Sequence, residues 1–244
     1  MDNIGQRLEH VLKQIRQAES DHRRPANSVA LLAVSKTWPA QFIVDAAAVG
    51  QRLFGENYVQ EAIEKFDFIQ THHPELNLEW HFIGHLQSNK SRDIAQRFDW
   101  VHSVDRLKLA KRLNDQRPNA LPPLNICLQV NIGAEPSKAG LATADLVTVA
   151  KEVASLKQLR LRGLMAIPRA TADEQEQRQQ FRQLRYLLND LQRQLPELDT
   201  LSMGMSNDLE AAIKEGATWV RIGTAIFGPR PAKPGSVTKS SSPA

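Results

Sequence analysis

Short, continuous apolar runs alternate along this chain with longer segments in which apolar residues recur at every third or fourth position. The first spacing is that of a strand buried on both faces; the second is that of a helix with one buried stripe. A first helix is predicted from about Asn3 to Ala18, with Ile4, Leu8, Val11, Leu12 and Ile15 on one face. Residues 29–34 follow as a strand, and Pro39 opens the next helix, where its fixed φ and missing N–H cost nothing. Further strands are predicted at 52–54, 78–82, 100–102, 124–132, 159–163, 199–201 and 219–222. The helices between them include one after Asn57 striped by Val59, Ala62, Ile63, Phe66 and Ile69, and a polar one near Asn89. Later helices start from Asp105, or carry Leu146, Val149, Ala150 and Val153, then Phe181, Leu184, Leu188 and Leu191, then Leu209, Ala212 and Ile213.

Eight strands separated by helices are the count of a (β/α)8 TIM barrel. An open doubly wound sheet has the same local pattern, but eight strands in 244 residues favour the barrel. No Gly-, Pro- or Ser-rich linker interrupts the series, so residues 1–229 read as one barrel domain with an extra N-terminal helix. Residues 230–244, rich in Pro, Ser and Lys, read as a disordered tail.

Charge narrows the range of partners. Of the net charge of +4, the tail supplies +3 through Arg230, Lys233 and Lys239, so the barrel is near neutral. No stripe of Lys and Arg interleaved with aromatics appears in the body, which argues against nucleic acid. No apolar run approaches the roughly 20 residues of a membrane span, and no secretory leader core stands at the N-terminus; a cytoplasmic protein is expected. Cys127 is the single cysteine, which excludes an intrachain disulfide and a Cys-rich metal site. Its apolar neighbours make it a small core residue.

Barrel enzymes place their chemistry at the C-terminal ends of the strands. The unusual residues of this chain fall on that rim: Ser35, Lys36 and Thr37; Gly55, Glu56 and Asn57; Gly84 and His85; Asn131; Met165; Ser202 to Ser206; Gly223 and Thr224. Alternation puts Lys36 on one face with Ala30, Leu32 and Val34. A lysine there is partly desolvated, which favours the neutral amine that adds to an aldehyde; a lysine snorkelling to water is the plainer alternative. Gly204 and Ser206, the latter placed as an N-cap, lie after strand seven, and Gly223 and Thr224 after strand eight. Barrels often bind phosphate between these two loops, although a plain cap and a tight turn have the same sequence. Arg221 shares the face of Trp219 and Gly223 and needs a partner, either a buried acid or a ligand heteroatom. His81 and His85 are four apart but straddle a strand end, so they do not form a helical metal pair, and no metal is expected.

Six ordered stretches, LAVSKT at 32–37, FGENYVQE at 54–61, WHFIGHLQSNK at 80–90, RGLM at 162–165, SMGMSND at 202–208 and VRIGTAIFG at 220–228, resemble the pyridoxal phosphate homeostasis proteins. The resemblance covers residues 3 to 229. It implies a barrel of the alanine racemase type (PLP fold type III) that holds pyridoxal 5′-phosphate (PLP) as a Schiff base on Lys36. By the same resemblance Ser206, Gly223 and Thr224 hold the phosphate, Arg221 faces the pyridine nitrogen, and Asn57 and Met165 line the ring. The family often has an acid where Asn207 stands; Asp208 is expected to supply the first-turn acid instead. Lys138 reads as a solvated loop lysine, a second transient PLP contact being the alternative.

The resemblance also implies PLP homeostasis without robust catalysis. Racemases of this fold type use two bases, one a tyrosine from a second domain of a partner subunit. The only tyrosines here are Tyr58 and Tyr186, and Tyr186 falls mid-helix. A monomer that buffers PLP or delivers it to apo-enzymes is therefore expected. A weak amino-acid racemase or lyase with Lys36 as base, and a binding protein acting through the basic tail, are the alternatives.

Overall fold

The computed structural model describes residues 3–133, 135 and 139–229. Among them, eight strands form a closed parallel barrel in sequence order. The strands are β1 (Ala30–Val34), β2 (Leu53–Glu56), β3 (Glu79–Phe82), β4 (Trp100–Val104), β5 (Leu124–Gln129), β6 (Leu159–Met165), β7 (Thr200–Ser202) and β8 (Trp219–Ile222). The helices are α1 (Ile4–Asp21), α2 (Ala40–Ala48), α3 (Val59–His72), α4 (Ser91–Arg97), α5 (Leu107–Gln116), α6 (Leu146–Ala154), α7 (Glu174–Gln192), α8 (Leu209–Lys214) and α9 (Thr224–Phe227). Leu32 pairs with Arg221 where β8 closes onto β1. The doubly wound alternative is excluded by that closure.

Helix α9, after β8, is a single turn, and α1 fills the place it leaves in the outer ring, against α8, α9 and α2. Helix α1 starts with a capping box: Asn3 accepts from the Gln6 N–H at 2.9 Å and Gln6 accepts from the Asn3 N–H at 3.0 Å. Its far end is fastened by buried Glu19, which accepts from the Val29 N–H at 2.7 Å and from Arg16 at 2.6 Å. Arg24 reaches across to the carbonyls of Ile213 and Ala217.

Alternation along the strands sorts the core into two layers. Leu31, Ala33, Phe54, Val101 and Val220 face the helices, in a continuous shell with Ile43, Phe181 and Leu184. Leu32, Val34 and Ile83 face inward, as do Trp100, Cys127, Met165 and Trp219. Cys127 is fully buried there, and burial pushes its thiol far up, consistent with a core residue.

Three strands run two residues further than the sequence pattern predicts, β4 among them through Ser103 and Val104. Strand β2 continues through Gly55 and Glu56, because Glu56 is buried against Lys65 rather than turning to water. Strand β6 continues through Leu164 and Met165, past a register shift opposite Ile126 and Cys127. The predicted N-cap is also displaced: Asp208 holds the N-cap position of α8, without a side-chain capping bond, and Ser206 lies two residues earlier in the preceding turn. The tail 230–244 and Lys138 lie outside the described residues. Among the described residues no helix is long and apolar enough to cross a membrane.

Candidate functional site

A cavity of about 890 Å³ opens at the C-terminal end of the barrel. Six of the seven predicted ligand-binding residues line it: Lys36 from the end of β1, Asn57 after β2, Ser206 after β7, and Arg221, Gly223 and Thr224 from β8 onward. Met165 does not. It is the last residue of β6, and its side chain is fully buried with Trp100 and Cys127 in the barrel interior. Glu56 and His85 also miss the cavity: Glu56 points outward to α3, and His85 is exposed, 3.7 Å from Asp105.

Lys36 is held through its backbone. Thr37, the next residue, has φ of 68°, a left-handed conformation that costs a β-branched residue energy unless its surroundings impose it. Glu61 imposes it by accepting from the Thr37 N–H at 2.5 Å. Beneath the turn, Lys65 donates to the Ser35 carbonyl at 2.7 Å, to Glu56 at 2.8 Å and to Glu61 at 2.5 Å. The Ser35 hydroxyl completes the cluster by donating to Glu56 at 2.6 Å. Burial holds the Glu56 carboxyl above its ordinary range, against the opposing pull of Lys65.

Asn57 is placed by a close approach. A Cβ on Gly84 would lie 2.0 Å from the Asn57 carbonyl oxygen, so only glycine lets the two loops meet. The Asn57 Oδ1 is buried without a protein partner and belongs to a residue that lines the cavity.

Gly204 has a structural reason of its own. Its φ is +96° and a Cβ there would lie 2.6 Å from the Ala212 Cβ, so it shapes the turn behind the cavity rather than lining it. Asp208, which the sequence offered only as a helix acid, lines the cavity and accepts from the Met205 N–H at 2.5 Å. Burial pushes its carboxyl up, against the pull of that N–H and of Arg221.

Arg221 is 5% exposed, and no ion pair among the described residues includes it. It donates to the Ser202 carbonyl at 2.6 Å, the Ser202 hydroxyl at 3.0 Å and the Ala166 carbonyl at 3.0 Å. Burial lowers its pKa to about 10, which leaves it a cation at neutral pH. Sequence reasoning also missed Arg169, a loop residue at the rim that is paired with Glu176. No periodicity marks such a loop position.

The site therefore presents three cations, Lys36, Arg169 and Arg221, and one acid, Asp208. At the start of α9 the Ile226 and Phe227 N–H groups donate to the Gly223 carbonyl, which leaves those of Thr224 and Ala225 without an intrahelical acceptor. An amine, an excess of positive charge, hydroxyls and free N–H groups suit an anionic aldehyde such as PLP.

The alanine racemase N-terminal domain family matches residues 6–231. The pyridoxal phosphate homeostasis protein of Pseudomonas aeruginosa is 56% identical over 94% of this chain and 97% of its own length. The chain belongs to the pyridoxal phosphate homeostasis protein family. Among solved structures, that of the family member PipY of Synechococcus elongatus with PLP bound is 42% identical. It has a TM-score of 0.76 and covers 88% of this chain and all of that one. An alanine racemase of Clostridium difficile shares the fold, with a TM-score of 0.71 at 13% identity over 91% of this chain and 57% of that one.

Proposed function

We propose that this family member binds PLP in the β1–β8 cavity through Lys36 and serves PLP homeostasis inside the cell as a monomeric carrier. The observation that carries the reading is the convergence of Lys36, Asn57, Ser206, Arg221, Gly223 and Thr224 on one cavity with an excess of positive charge. That PipY, a family member, has been solved with PLP bound supports it.

PLP when bound supplies an aldehyde for a lysine amine and an electron-withdrawing ring. In this chain Lys36 supplies the amine, on a backbone fixed by Glu61 and Lys65. Ser206, Gly223 and Thr224 would hold the phosphate, and the Arg221 guanidinium would face the ring nitrogen. Arginine only donates, so it favours an unprotonated ring nitrogen, which restrains carbanion chemistry.

Among the described lining residues, Lys36 and Asp208 are the amine and the carboxyl that could serve as a base. Tyr58 and Tyr186 are exposed and lie outside the cavity lining. The position of the tyrosines favours holding PLP over the two-base chemistry of a racemase with a tyrosine base. Mixing PLP-loaded protein with a PLP-requiring apo-enzyme tests delivery. Reactivation faster than with an equal amount of free PLP is expected; reactivation no faster than in buffer would overturn delivery. Sustained amino-acid turnover lost in Lys36→Ala would replace the carrier by an enzyme.

A further inference from the structure

A second polar system lies inside the barrel, where alternation would otherwise place only apolar side chains. His81 on β3 and His102 on β4 are both fully buried. Nδ1 of His81 lies 2.9 Å from Nε2 of His102, and Nδ1 of His102 lies 2.7 Å from the Ser202 hydroxyl on β7. The same hydroxyl takes the Nη1 hydrogen bond of Arg221. At the other end, the Glu79 carboxylate stands 2.8 Å from Nε2 of His81 but off the N–H direction, so this last link is electrostatic.

The chemistry of Arg221 orders the whole chain. A guanidinium has donors and no acceptor, so the Ser202 oxygen accepts, and its proton must go to a further acceptor. The acceptor in range is Nδ1 of His102, which is therefore bare, with its proton on Nε2. Nε2 then donates to Nδ1 of His81, whose own proton sits on Nε2, near the Glu79 carboxylate but without a directed hydrogen bond to it. The reverse order would give the Ser202 oxygen two donors and strand its hydroxyl proton in a buried site. Burial keeps both rings neutral: it pushes His81 down to about 3 and His102 well below its ordinary value, so each ring carries one proton. Packing fixes the ring planes. His81 stacks on Trp100 at 5.5 Å, and His102 meets Trp219 edge-on at 6.0 Å.

We infer that Ser202, His102 and His81 are positioning residues for Arg221, joined to it in one hydrogen-bond chain whose donors all point away from the cavity. The chain exists independently of any ligand. What it does, holding the guanidinium that faces the ring nitrogen of PLP, rests on the proposed function.

Histidine ¹⁵N and ¹³C NMR of the ligand-free protein reads the tautomers. Both rings protonated at Nε2 and bare at Nδ1 are expected; a proton on Nδ1 of either ring overturns the chain. Positioning is read in PLP-loaded protein, with Ser202→Ala and with His102→Leu beside His102→Gln. Ser202→Ala and His102→Leu are expected to shift the visible absorbance maximum and weaken PLP binding roughly tenfold. His102→Gln, which can accept from Ser202 and donate to His81, is expected to recover most of both. Wild-type absorbance and affinity in both Ser202→Ala and His102→Leu would overturn the positioning role. If the variants do not fold, the wild-type tautomers decide. Wild-type protein that takes up no PLP would instead overturn the proposed function and leave the chain to the tautomer measurement.

Discussion

Lys36, in the turn after β1, and Arg221, on the neighbouring β8, line the same cavity, yet they are held by opposite chemistry. Beneath Lys36 lies an ionic cluster between sheet and helix, in which Lys65 bridges Glu56, Glu61 and the Ser35 carbonyl. Beneath Arg221 lies a string of neutral groups inside the barrel, with carbonyls, a hydroxyl and two uncharged imidazoles. The difference follows from what each residue has to do. The lysine that would attack an aldehyde has its turn fixed through the backbone, by Glu61 and Lys65. An arginine that presents a fixed donor can be gripped by its own side chain, and a neutral grip leaves its charge for the ligand.

The ionic side is expected to be the more fragile. Lys65→Met leaves Glu56 buried without its cation and should cost about 3–5 kcal/mol, measured by urea unfolding. Adding Glu56→Leu should restore part of that loss, because both charges are then removed. A single Lys65 variant as stable as wild type would mean that the cluster does not hold the Lys36 turn.

The neutral side should show itself in acid. The ordinary histidine pKa is 6.5, and in the folded protein burial holds His81 at about 3 and His102 well below its ordinary value. The unfolded chain therefore binds the protons, and stability present above pH 6.5 is lost as the pH falls toward 3. Each ring should contribute a slope of up to about 1.4 kcal/mol per pH unit, read from unfolding at pH 7 and pH 5. His102→Gln should flatten that slope by one ring's share. Ser202→Ala should have the smallest effect on stability, about 1 kcal/mol, because it removes one hydroxyl from a string whose carbonyl contacts to Arg221 remain.

These two regions were not equally legible in the sequence. The barrel could be read because parallel strands buried on both faces leave continuous apolar runs. The extended ends of β2 and β6 could not, because Gly55, Glu56 and Gly163 break those runs and only the tertiary contacts of Glu56 with Lys65 restore the strand. Lys36 and Arg221 were visible as charges at the mouths of apolar strands. Ser206 was misplaced as a cap because three polar residues in succession compete for that position and the helix geometry selects Asp208. Met165 followed from the resemblance and not from alternation, and the longer β6 draws it below the cavity. His102 stands within the predicted strand at 100–102, but its partner Ser202 lies a hundred residues away, and no local pattern joins them.

The central claim is that Lys36 bonds PLP, and one measurement addresses it directly: visible absorbance of the PLP-treated protein, then borohydride reduction and peptide mass mapping. A yellow protein whose reduced pyridoxyl group maps to Lys36, with the colour absent in Lys36→Ala, is the predicted result. A protein that stays colourless with PLP, or a pyridoxyl group that maps to another lysine, would contradict it.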